Sequence, residues 1–176
     1  MGSNPIPSSF SDPMQSKTIE LLVLRPIVYL FIVFLTPYYL ASYLDSYFNL
    51  PEIFSYPTNL IGLVLIAVGL IIDISSISTF ATAGKGTPFP WRPPKKMVIT
   101  GPYRYTRNPI YLAFVFIMSG VGIFTNLLTM FLVMLIFIAA VDIFVVRWEE
   151  KGLEERFGKA YSEYKKKVPR WNPKFW

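Results

Sequence analysis

The sequence predicts an all-α integral membrane protein with about four transmembrane helices, and three observations support this fold class. Of the 176 residues, 53% are hydrophobic and only 16% are charged, and the mean hydropathy is +0.43. Four apolar stretches approach the length of about 20 residues that an α-helix needs to cross a bilayer. Lys and Arg residues are concentrated in two of the segments outside these stretches, which is typical of the cytoplasmic parts of membrane proteins.

The apolar runs set the bounds of the four predicted spans. They cover residues 26–44, 60–80, 110–124 and 127–146. The first span contains Pro37, which favours a kink, and the third is short for a membrane crossing. Because only Thr125 and Asn126 separate the last two spans, we expect these spans to form a tight helical hairpin.

The segment before the first span has a different composition. Residues 1–17 are rich in Ser, Pro and Asn and lack the basic and apolar regions of a signal peptide, so we expect a flexible tail. Residues 18–25 are partly apolar, which is typical of a helix that lies on the membrane surface. Residues 18–176 are predicted to form a single membrane domain.

The charges of the connections predict the topology. Residues 45–59 carry two acids and no Lys or Arg, whereas residues 81–109 carry six basic residues and no acid. The tail after residue 146 carries nine basic residues. Because Lys and Arg are retained in the cytoplasm, we expect loop 81–109 and both termini to be cytoplasmic.

Residues 149–167 are predicted to form an amphipathic helix on the cytoplasmic face. Apolar side chains recur there at helical spacing between charged ones: Leu153, Phe157, Ala160, Tyr161 and Tyr164. Val168-Pro169 ends this helix, because a proline disfavours helical geometry in the residue before it.

The chain contains no Cys and no His. This excludes disulfides, thiolate nucleophiles, imidazole bases and metal sites built on Cys or His, and no metal site is predicted. No Gly-x-Gly-x-x-Gly motif follows a predicted strand, which argues against a soluble dinucleotide-type methyltransferase fold. Membrane lipids are the expected partners, and nucleic acid is not expected.

A candidate anion site lies where the third span begins. Asn108 suits the N-cap of a helix and Pro109 its first position, so free N–H groups point to the cytoplasmic boundary. Arg104 and Arg107 lie just before them. The site suits a carboxylate of a substrate or cofactor, but lipid phosphates are an equally good explanation.

Four acids are candidate functional residues. Glu149 and Glu150 are adjacent at a basic membrane surface, where they suit an ammonium or a sulfonium; an ordinary solvated helix with ion pairs four residues apart is the alternative. Asp73 and Asp142 lie inside apolar spans, where ionisable groups are usually functional. The alternative for them is a buried acid that is hydrogen-bonded to Ser75, Ser76 or Ser78 or paired with Arg147.

A longer set of motifs carries a family resemblance. It comprises Gly86-Thr87-Pro88, Pro93-Pro94-Lys95-Lys96-Met97-Val98, the string from Gly101 to Tyr111 (Gly-Pro-Tyr-Arg-Tyr-Thr-Arg-Asn-Pro-Ile-Tyr), Glu149-Glu150, and Val168-Pro169-Arg170-Trp171. These segments resemble the membrane methyltransferase superfamily of isoprenylcysteine carboxyl methyltransferases and phospholipid methyltransferases. The similarity covers residues 60–171 in the same order.

The resemblance implies S-adenosylmethionine as the cofactor. It implies that Met97 and Val98 hold the adenine end and that the loop beginning at Gly101 forms one wall of the pocket. The amino-acid end and the methyl donor would be lined by Tyr103, Arg107, Asn108 and Tyr111. Glu150, with Glu149, would meet the cofactor's ammonium. Prenylcysteine-methylating members often carry His where this chain has Asn108, which bears on the acceptor.

The leading hypothesis is a methyl transfer from S-adenosylmethionine to a lipid-like acceptor, with Arg107, Asn108, Tyr111 and Glu149 as catalytic residues. A carboxylate acceptor needs no base, so the lack of His slightly favours carboxyl O-methylation. Phospholipid N-methylation, with Glu149 or Asp142 as the base, is the first alternative. A non-catalytic lipid-binding or scaffold protein is the alternative of another class, and a small transporter suits four spans without repeats less well.

Overall fold

A computed structural model describes residues 25–85 and 95–173 of the chain. The predicted tail of residues 1–17, most of the predicted surface helix and part of the basic loop lie outside these residues. Within them, every regular element is helical, which confirms the all-α prediction for the described part of the chain.

Six α-helices form the described structure. They are α1 (Arg25–Phe48), α2 (Ile61–Thr79), α3 (Pro109–Thr125), α4 (Thr129–Ala140), α5 (Arg147–Phe157) and α6 (Lys159–Lys167). Short 3₁₀ turns lie at Thr58–Leu60 and Gly101–Arg104. Two π-helical turns extend the longer helices: Phe80–Gly84 continues α2, and Val141–Val146 joins α4 to α5.

Two continuous helices are long and apolar enough to cross a membrane. They are Thr58–Gly84, with 27 residues, and Thr129–Phe157, with 29 residues. α3 is apolar but has 17 residues, as its predicted span suggested. α1 covers the first predicted span and contains Pro37. The total of four spans and the cytoplasmic side stay predictions.

The chain divides into two compact units, Met1–Leu40 and Ala41–Trp176. The sequence predicted one membrane domain over residues 18–176. The boundary falls within α1, so the helix contributes residues to each unit. All the features described below lie in the second unit.

The packing of α2 on α3 depends on small residues at their crossing. A Cβ at Gly62 would lie 2.4 Å from the Gly120 carbonyl oxygen, and a Cβ at Gly69 would lie 2.8 Å from the Ala113 carbonyl oxygen. Small side chains permit such close backbone approach in membrane helices, where dispersion contacts stabilise the pair. These contacts hold the first half of α2 against α3 between Ala113 and Phe124.

The α3–α4 hairpin is present, and its turn is held by two polar side chains. Asn126 adopts a left-handed conformation with φ 58°, and its Oδ1 accepts hydrogen bonds from the amides of Ile53 and Phe54 at 2.9 and 2.8 Å. The Asp45 carboxylate accepts hydrogen bonds from the amides of Leu128 and Thr129 at 2.6 and 2.9 Å. Asp45 therefore caps the beginning of α4.

The predicted C-terminal helix over residues 149–167 is divided in two. α5 ends at Phe157 and α6 begins at Lys159, because Gly158 adopts φ 52°. Positive φ is accessible to Gly at little cost but is incompatible with a continuing α-helix. The Gly158 amide donates to the Glu154 carbonyl oxygen at 2.8 Å, and the chain turns there.

Candidate functional site

The turn that begins at Gly101 is packed against the end of α2. Gly101 has φ +58°, and a Cβ there would lie 2.6 Å from the Thr79 hydroxyl oxygen, so its position requires Gly for both conformation and space. The Tyr103 ring is buried, with 6% of its surface exposed, and packs edge-on against Phe80 at 5.1 Å. The close packing of Gly101 on Thr79 therefore places the Tyr103 ring against Phe80.

The Tyr103 hydroxyl lies among other ionisable groups. Burial is the main reason why the pKa of Tyr103 is raised, and Tyr164, Glu149, Asp73 and Tyr111 add to the rise electrostatically. The Tyr103 phenol therefore stays protonated. Asp73 of α2 and Glu149 of α5 thus both act electrostatically on this phenol, although the two acids are 76 positions apart in the sequence.

Tyr164 of α6 anchors the other side of the turn. Its hydroxyl donates to the Tyr103 carbonyl oxygen at 2.6 Å. Burial raises the pKa of Tyr164, so the hydroxyl keeps the proton that this bond needs. The interaction connects α6 to the turn before α3, which the sequence separates by about 60 residues.

Arg107 and Glu150 form the central ion pair of the site. The Arg107 Nη1 lies 2.7 Å from the Glu150 Oε1, and the two side chains are 12% and 8% exposed. Arg170 donates to both Glu150 oxygens, at 3.1 and 2.9 Å, and the Lys165 ammonium lies 3.6 Å from Oε2. Three cations therefore balance the negative charge of Glu150. A buried carboxylate is strongly destabilising unless opposite charges accompany it.

Glu149 has a different environment from its neighbour. The Tyr111 hydroxyl donates to its Oε2 at 3.3 Å. Among the described residues no Lys or Arg nitrogen lies within ion-pair distance of Glu149, in contrast to Glu150. Successive residues of a helix point about 100° apart, which explains why adjacent acids meet different partners. Glu149 is the acid of this pair whose carboxylate is available to a cation.

The segment Val168–Trp171 holds these residues together. The Arg107 amide donates to the Pro169 carbonyl oxygen at 3.0 Å, and the Thr106 hydroxyl donates to the Arg170 carbonyl oxygen at 2.7 Å. The Trp171 indole packs near the Tyr111 ring at 6.3 Å. We name Val168–Trp171 the C-terminal strap, because it crosses the beginning of α3.

Asp142 is engaged by the C-terminal strap. Its Oδ1 accepts hydrogen bonds from the Trp171 Nε1 at 2.7 Å and from the Arg170 Nη1 at 3.1 Å. The sequence offered a pair with Arg147 as the alternative to a functional acid, and the structure gives Asp142 a different partner, Arg170. The Asp142 carboxylate is therefore poorly suited to serve as a base. Asp73 accepts no hydrogen bond and forms no ion pair within the described residues.

Asn108 occupies the N-cap position of α3, with Pro109 following as predicted, but its side chain forms no cap hydrogen bond. The Thr106 hydroxyl oxygen instead accepts the Asn108 amide at 3.3 Å. The Asn108 Nδ2 and the Arg107 Nε are buried donors that have no partner in the described part of the chain. Buried donors without partners are rare in proteins, and two adjacent ones suit a carboxylate ligand.

Met97 and Val98 lie in the segment that follows the basic loop. The amides of Lys95 and Lys96 donate to the Gly84 carbonyl oxygen at 2.9 and 3.3 Å, which fixes this segment at the end of α2. Val98 is buried, with 8% exposed, and Met97 is half-buried. Their contact with an adenine ring stays a prediction.

Sequence reasoning missed the roles of Arg170, Trp171 and Lys165. The motif Val168-Pro169-Arg170-Trp171 is part of the resemblance, but no role was predicted for its residues. Arg170 is one of nine basic residues after residue 146, and no local pattern indicates which of them pairs with Glu150. Among the described residues no group of three or more acids is arranged to hold a metal ion.

Comparison with known proteins adds one match. The family model described as phospholipid methyltransferase matches residues 57–160, which is more than half of the chain. The matched region includes α2, the Gly101 turn, α3 and the Glu149-Glu150 pair, and it ends before the C-terminal strap. No match was found among curated proteins or among solved structures.

Proposed function

The chain belongs to the phospholipid methyltransferase family, and we propose that it transfers a methyl group from S-adenosylmethionine to a lipid-like acceptor in the membrane. Membership implies a membrane methyltransferase. The observation that carries the proposal further is the pair of buried donors, Arg107 Nε and Asn108 Nδ2, together with the Glu149 carboxylate, which has no cation partner among the described residues. The amino-acid end of S-adenosylmethionine carries one carboxylate and one ammonium, so its binding needs hydrogen-bond donors for the first and an acid for the second.

The residues present suit the cofactor that the family implies. Arg107 and Asn108 supply two donors for its carboxylate. We assign its ammonium to Glu149, because Glu150 already accepts from Arg107 and Arg170. Glu150 then acts through Arg107, whose guanidinium it orients. When bound, the cofactor would supply a methyl group on a sulfonium: the acceptor would bond to the methyl carbon and S-adenosylhomocysteine would leave, without metal or acid catalysis.

The aromatic side chains serve two purposes in this proposal. Tyr103, Tyr111 and Trp171 surround the acidic side of the site, and their rings exclude water from the reacting groups. The faces of such rings also stabilise a positively charged group. Alignment and desolvation are the main requirements of a displacement, and the chain supplies both through packed side chains.

The acceptor class that the site supports best is an amine, as in phospholipid N-methylation. Asp73 and Glu149 both act electrostatically on Tyr103, whereas Arg107 and Arg170 are already paired with acids. A carboxylate acceptor would be repelled by the two acids. An ammonium acceptor would be attracted, and Asp73 would then take its proton before transfer. This revises the slight preference for a carboxylate that the lack of His suggested.

Carboxyl O-methylation of an isoprenylcysteine-like acceptor remains the second candidate, because the buried donors Arg107 Nε and Asn108 Nδ2 also suit an acceptor carboxylate. One experiment separates the two. Membranes that contain the protein are incubated with methyl-labelled cofactor and a lipid extract, and the product is treated with base. Methyl esters release volatile methanol, whereas N-methyl products do not. Release of the label as methanol contradicts the amine proposal.

Cofactor binding separates an enzyme from a lipid-binding scaffold. We expect the purified protein in detergent to bind S-adenosylhomocysteine in calorimetry, and Arg107→Ala and Glu150→Ala to abolish the binding heat. Lys166→Ala, which removes an exposed ion pair with Glu163, is the matched control. Absence of any heat with the unchanged protein would support the scaffold, and normal affinity in both variants would contradict the assigned site.

We also propose four spans with both termini and the site in the cytoplasm. The charge difference between residues 45–59 and residues 81–109 supports this orientation. The chain has no Cys, so single-Cys variants at the exposed residues Glu52 and Lys96 report their own side. A membrane-impermeant maleimide should label Glu52→Cys from outside the cell and Lys96→Cys only in inverted vesicles. Labelling of both from one side overturns the topology.

A further inference from the structure

Asp142 and Trp171 form a hydrogen bond to which the proposed function gives no role. The Trp171 Nε1 donates to the Asp142 Oδ1 at 2.7 Å, although the two residues are 29 positions apart. Asp142 belongs to the π-helical turn Val141–Val146, and Trp171 ends the C-terminal strap. The family model ends at residue 160, so the matched region does not include Trp171.

A carboxylate at the end of a long apolar helix is costly, and its partners indicate what it provides. An ionisable group in such a helix costs free energy unless it is paired, and an apolar pair often stabilises a contact equally well. An apolar pair supplies no direction, however. The indole N–H lies in the plane of its ring, so the bond from Trp171 to Asp142 fixes the orientation of that plane.

The ring that Asp142 orients lies beside Tyr111. The centres of the Trp171 and Tyr111 rings are 6.3 Å apart, and their planes are inclined by 57°, a separation that is typical of aromatic pairs. The Tyr111 hydroxyl donates to Glu149 at 3.3 Å. The two rings therefore border the carboxylate to which the cofactor's ammonium is assigned above.

The cofactor that the family implies carries a second positive charge close to its ammonium. In S-adenosylmethionine, two methylene groups separate the sulfonium from the carbon that bears the ammonium. A ligand whose ammonium meets Glu149 therefore has its sulfonium within reach of the neighbouring rings. The faces of Trp and Tyr rings attract cations, and Trp does so most strongly. The product, S-adenosylhomocysteine, has a neutral sulfur and lacks this attraction.

We propose that Trp171 and Tyr111 make the donor site prefer the charged sulfonium to the neutral thioether, and that Asp142 is the positioning residue that holds the Trp171 ring in place. This inference rests on the proposed function and assigns a role to the strap within it. The preference favours release of the product, because the attraction is lost when the methyl group leaves the sulfur.

The test compares the affinities of S-adenosylmethionine and S-adenosylhomocysteine and requires no methyl transfer. Calorimetry on the purified full chain in detergent gives both dissociation constants. We expect Trp171→Leu to weaken binding of S-adenosylmethionine about tenfold, and that of S-adenosylhomocysteine by no more than about twofold. Trp148→Leu, at a Trp that is 73% exposed, is the matched control and should change neither. Equal losses for the two ligands in Trp171→Leu would show that the ring serves packing alone and would overturn the proposal.

A neutral ligand of similar shape separates recognition of charge from recognition of the methyl group. The sulfoxide of S-adenosylhomocysteine carries an oxygen on its sulfur in place of the methyl group, and it has no positive charge at that sulfur. We expect Trp171→Leu to bind this sulfoxide as well as the unchanged protein does, within about twofold. A tenfold loss would show that the ring recognises shape, and the proposal would fail.

Variants of Asp142 test whether it acts through Trp171. Asp142→Leu removes the acceptor of the indole N–H and should reduce the preference for S-adenosylmethionine about threefold. Asp142→Asn keeps an oxygen that accepts this bond and should retain the preference. Weakening that arises through Arg170, the other partner of Asp142, affects both ligands alike and leaves their ratio unchanged. An unchanged ratio in Asp142→Leu would overturn the positioning role.

The unchanged protein keeps this inference apart from the proposed function. If it binds neither ligand, the methyltransferase proposal fails and this inference fails with it. If it binds both ligands and Trp171→Leu leaves the ratio of their affinities as it was, the methyltransferase proposal stands and the role of Trp171 fails alone.

Discussion

Arg170 holds the buried Glu150 carboxylate by both of its oxygens, with the Arg170 Nε at 3.1 Å from Oε1 and the Nη2 at 2.9 Å from Oε2. Its Nη1 also donates to Asp142 at 3.1 Å. The hydrogen bonds that Arg170 donates to Glu150 are the main reason why the pKa of Arg170 is raised, so this guanidinium stays charged. Arg170 thus joins the C-terminal strap to the acid that orients Arg107.

Arg170 is therefore expected to position the donor site without touching the cofactor. Arg170→Gln should weaken S-adenosylhomocysteine binding about tenfold. Without the guanidinium, Glu150 loses two hydrogen bonds and no longer holds the Arg107 side chain in one orientation. Arg170→Lys, which keeps the charge but not the planar fork, should give an intermediate affinity. Calorimetry measures both. Affinity equal to that of the unchanged protein in Arg170→Gln would show that the strap has no positioning role.

Asn108 provides a second test, because its Nδ2 is buried and has no partner in the described residues. Asn108→Asp replaces a donor by a carboxylate at the place where the cofactor's carboxylate is expected. Loss of the bond and repulsion together should weaken S-adenosylhomocysteine binding by roughly 100-fold, and Asn108→Ala by about tenfold. Asn172→Asp, an exposed change beside the strap, should leave the affinity unchanged. A stronger effect of Ala than of Asp would contradict the assigned contact.

The main elements of the site could be predicted from the sequence, but their pairing could not. Composition and the apolar runs predicted the helices. The resemblance implied that Glu149, Glu150 and the beginning of α3 line one cofactor pocket, which stays a prediction, and the structure adds the contact of Arg107 with Glu150. Only one of the two acids lacks a cation partner among the described residues. Which one it is depends on the directions in which Glu149 and Glu150 point from α5, and on Arg170, which lies 20 residues later and bonds to Glu150. The phase at α5 follows from the π-helical turn at Val141–Val146, which apolar periodicity does not reveal.

Two other features were not predicted from the sequence. Gly158 lay within an otherwise helical pattern, and a single Gly is tolerated in a helix, so its positive φ was not predicted. Asp45 was read as one of two acids in an external connection, yet it caps a helix more than 80 residues later in the chain. Such a cap follows from the packing of α1 near the hairpin turn, since local sequence around Leu128 supplies no side-chain cap.

The glycines at the α2–α3 crossing give a stability prediction with an internal control. Gly62→Ala introduces a Cβ at 2.4 Å from the Gly120 carbonyl oxygen. Because this oxygen belongs to the backbone of α3, the clash can be relieved only by moving one helix away from the other. We expect a loss of about 1–3 kcal/mol in the free energy of unfolding, seen as a lower thermal midpoint in detergent. Gly152→Ala, with no atom within 4 Å of its Cβ, should be neutral or stabilising by up to about 1 kcal/mol. Equal midpoints for the two variants would refute close packing at this crossing.

Asp45 is expected to stabilise the hairpin from a distance. Its carboxylate accepts from the Leu128 and Thr129 amides and from the Thr129 hydroxyl, which satisfies free N–H groups at the beginning of α4 and places negative charge at the positive end of the helix. Asp45→Ala should cost about 1–2 kcal/mol of unfolding free energy, and Asp45→Asn less, because one acceptor remains.

The matched control for Asp45 is Glu52→Ala, an exposed acid of the same connection. It forms no hydrogen bond or ion pair within the described residues, so its loss should change the thermal midpoint little. S-adenosylhomocysteine binding should persist in Asp45→Ala at temperatures where the protein is folded, because the cap lies at the end of the hairpin opposite to the beginning of α3. If Asp45→Ala and Glu52→Ala unfold at the same temperature, the Asp45 cap contributes nothing, and the hairpin is held by the Asn126 turn and by apolar packing alone.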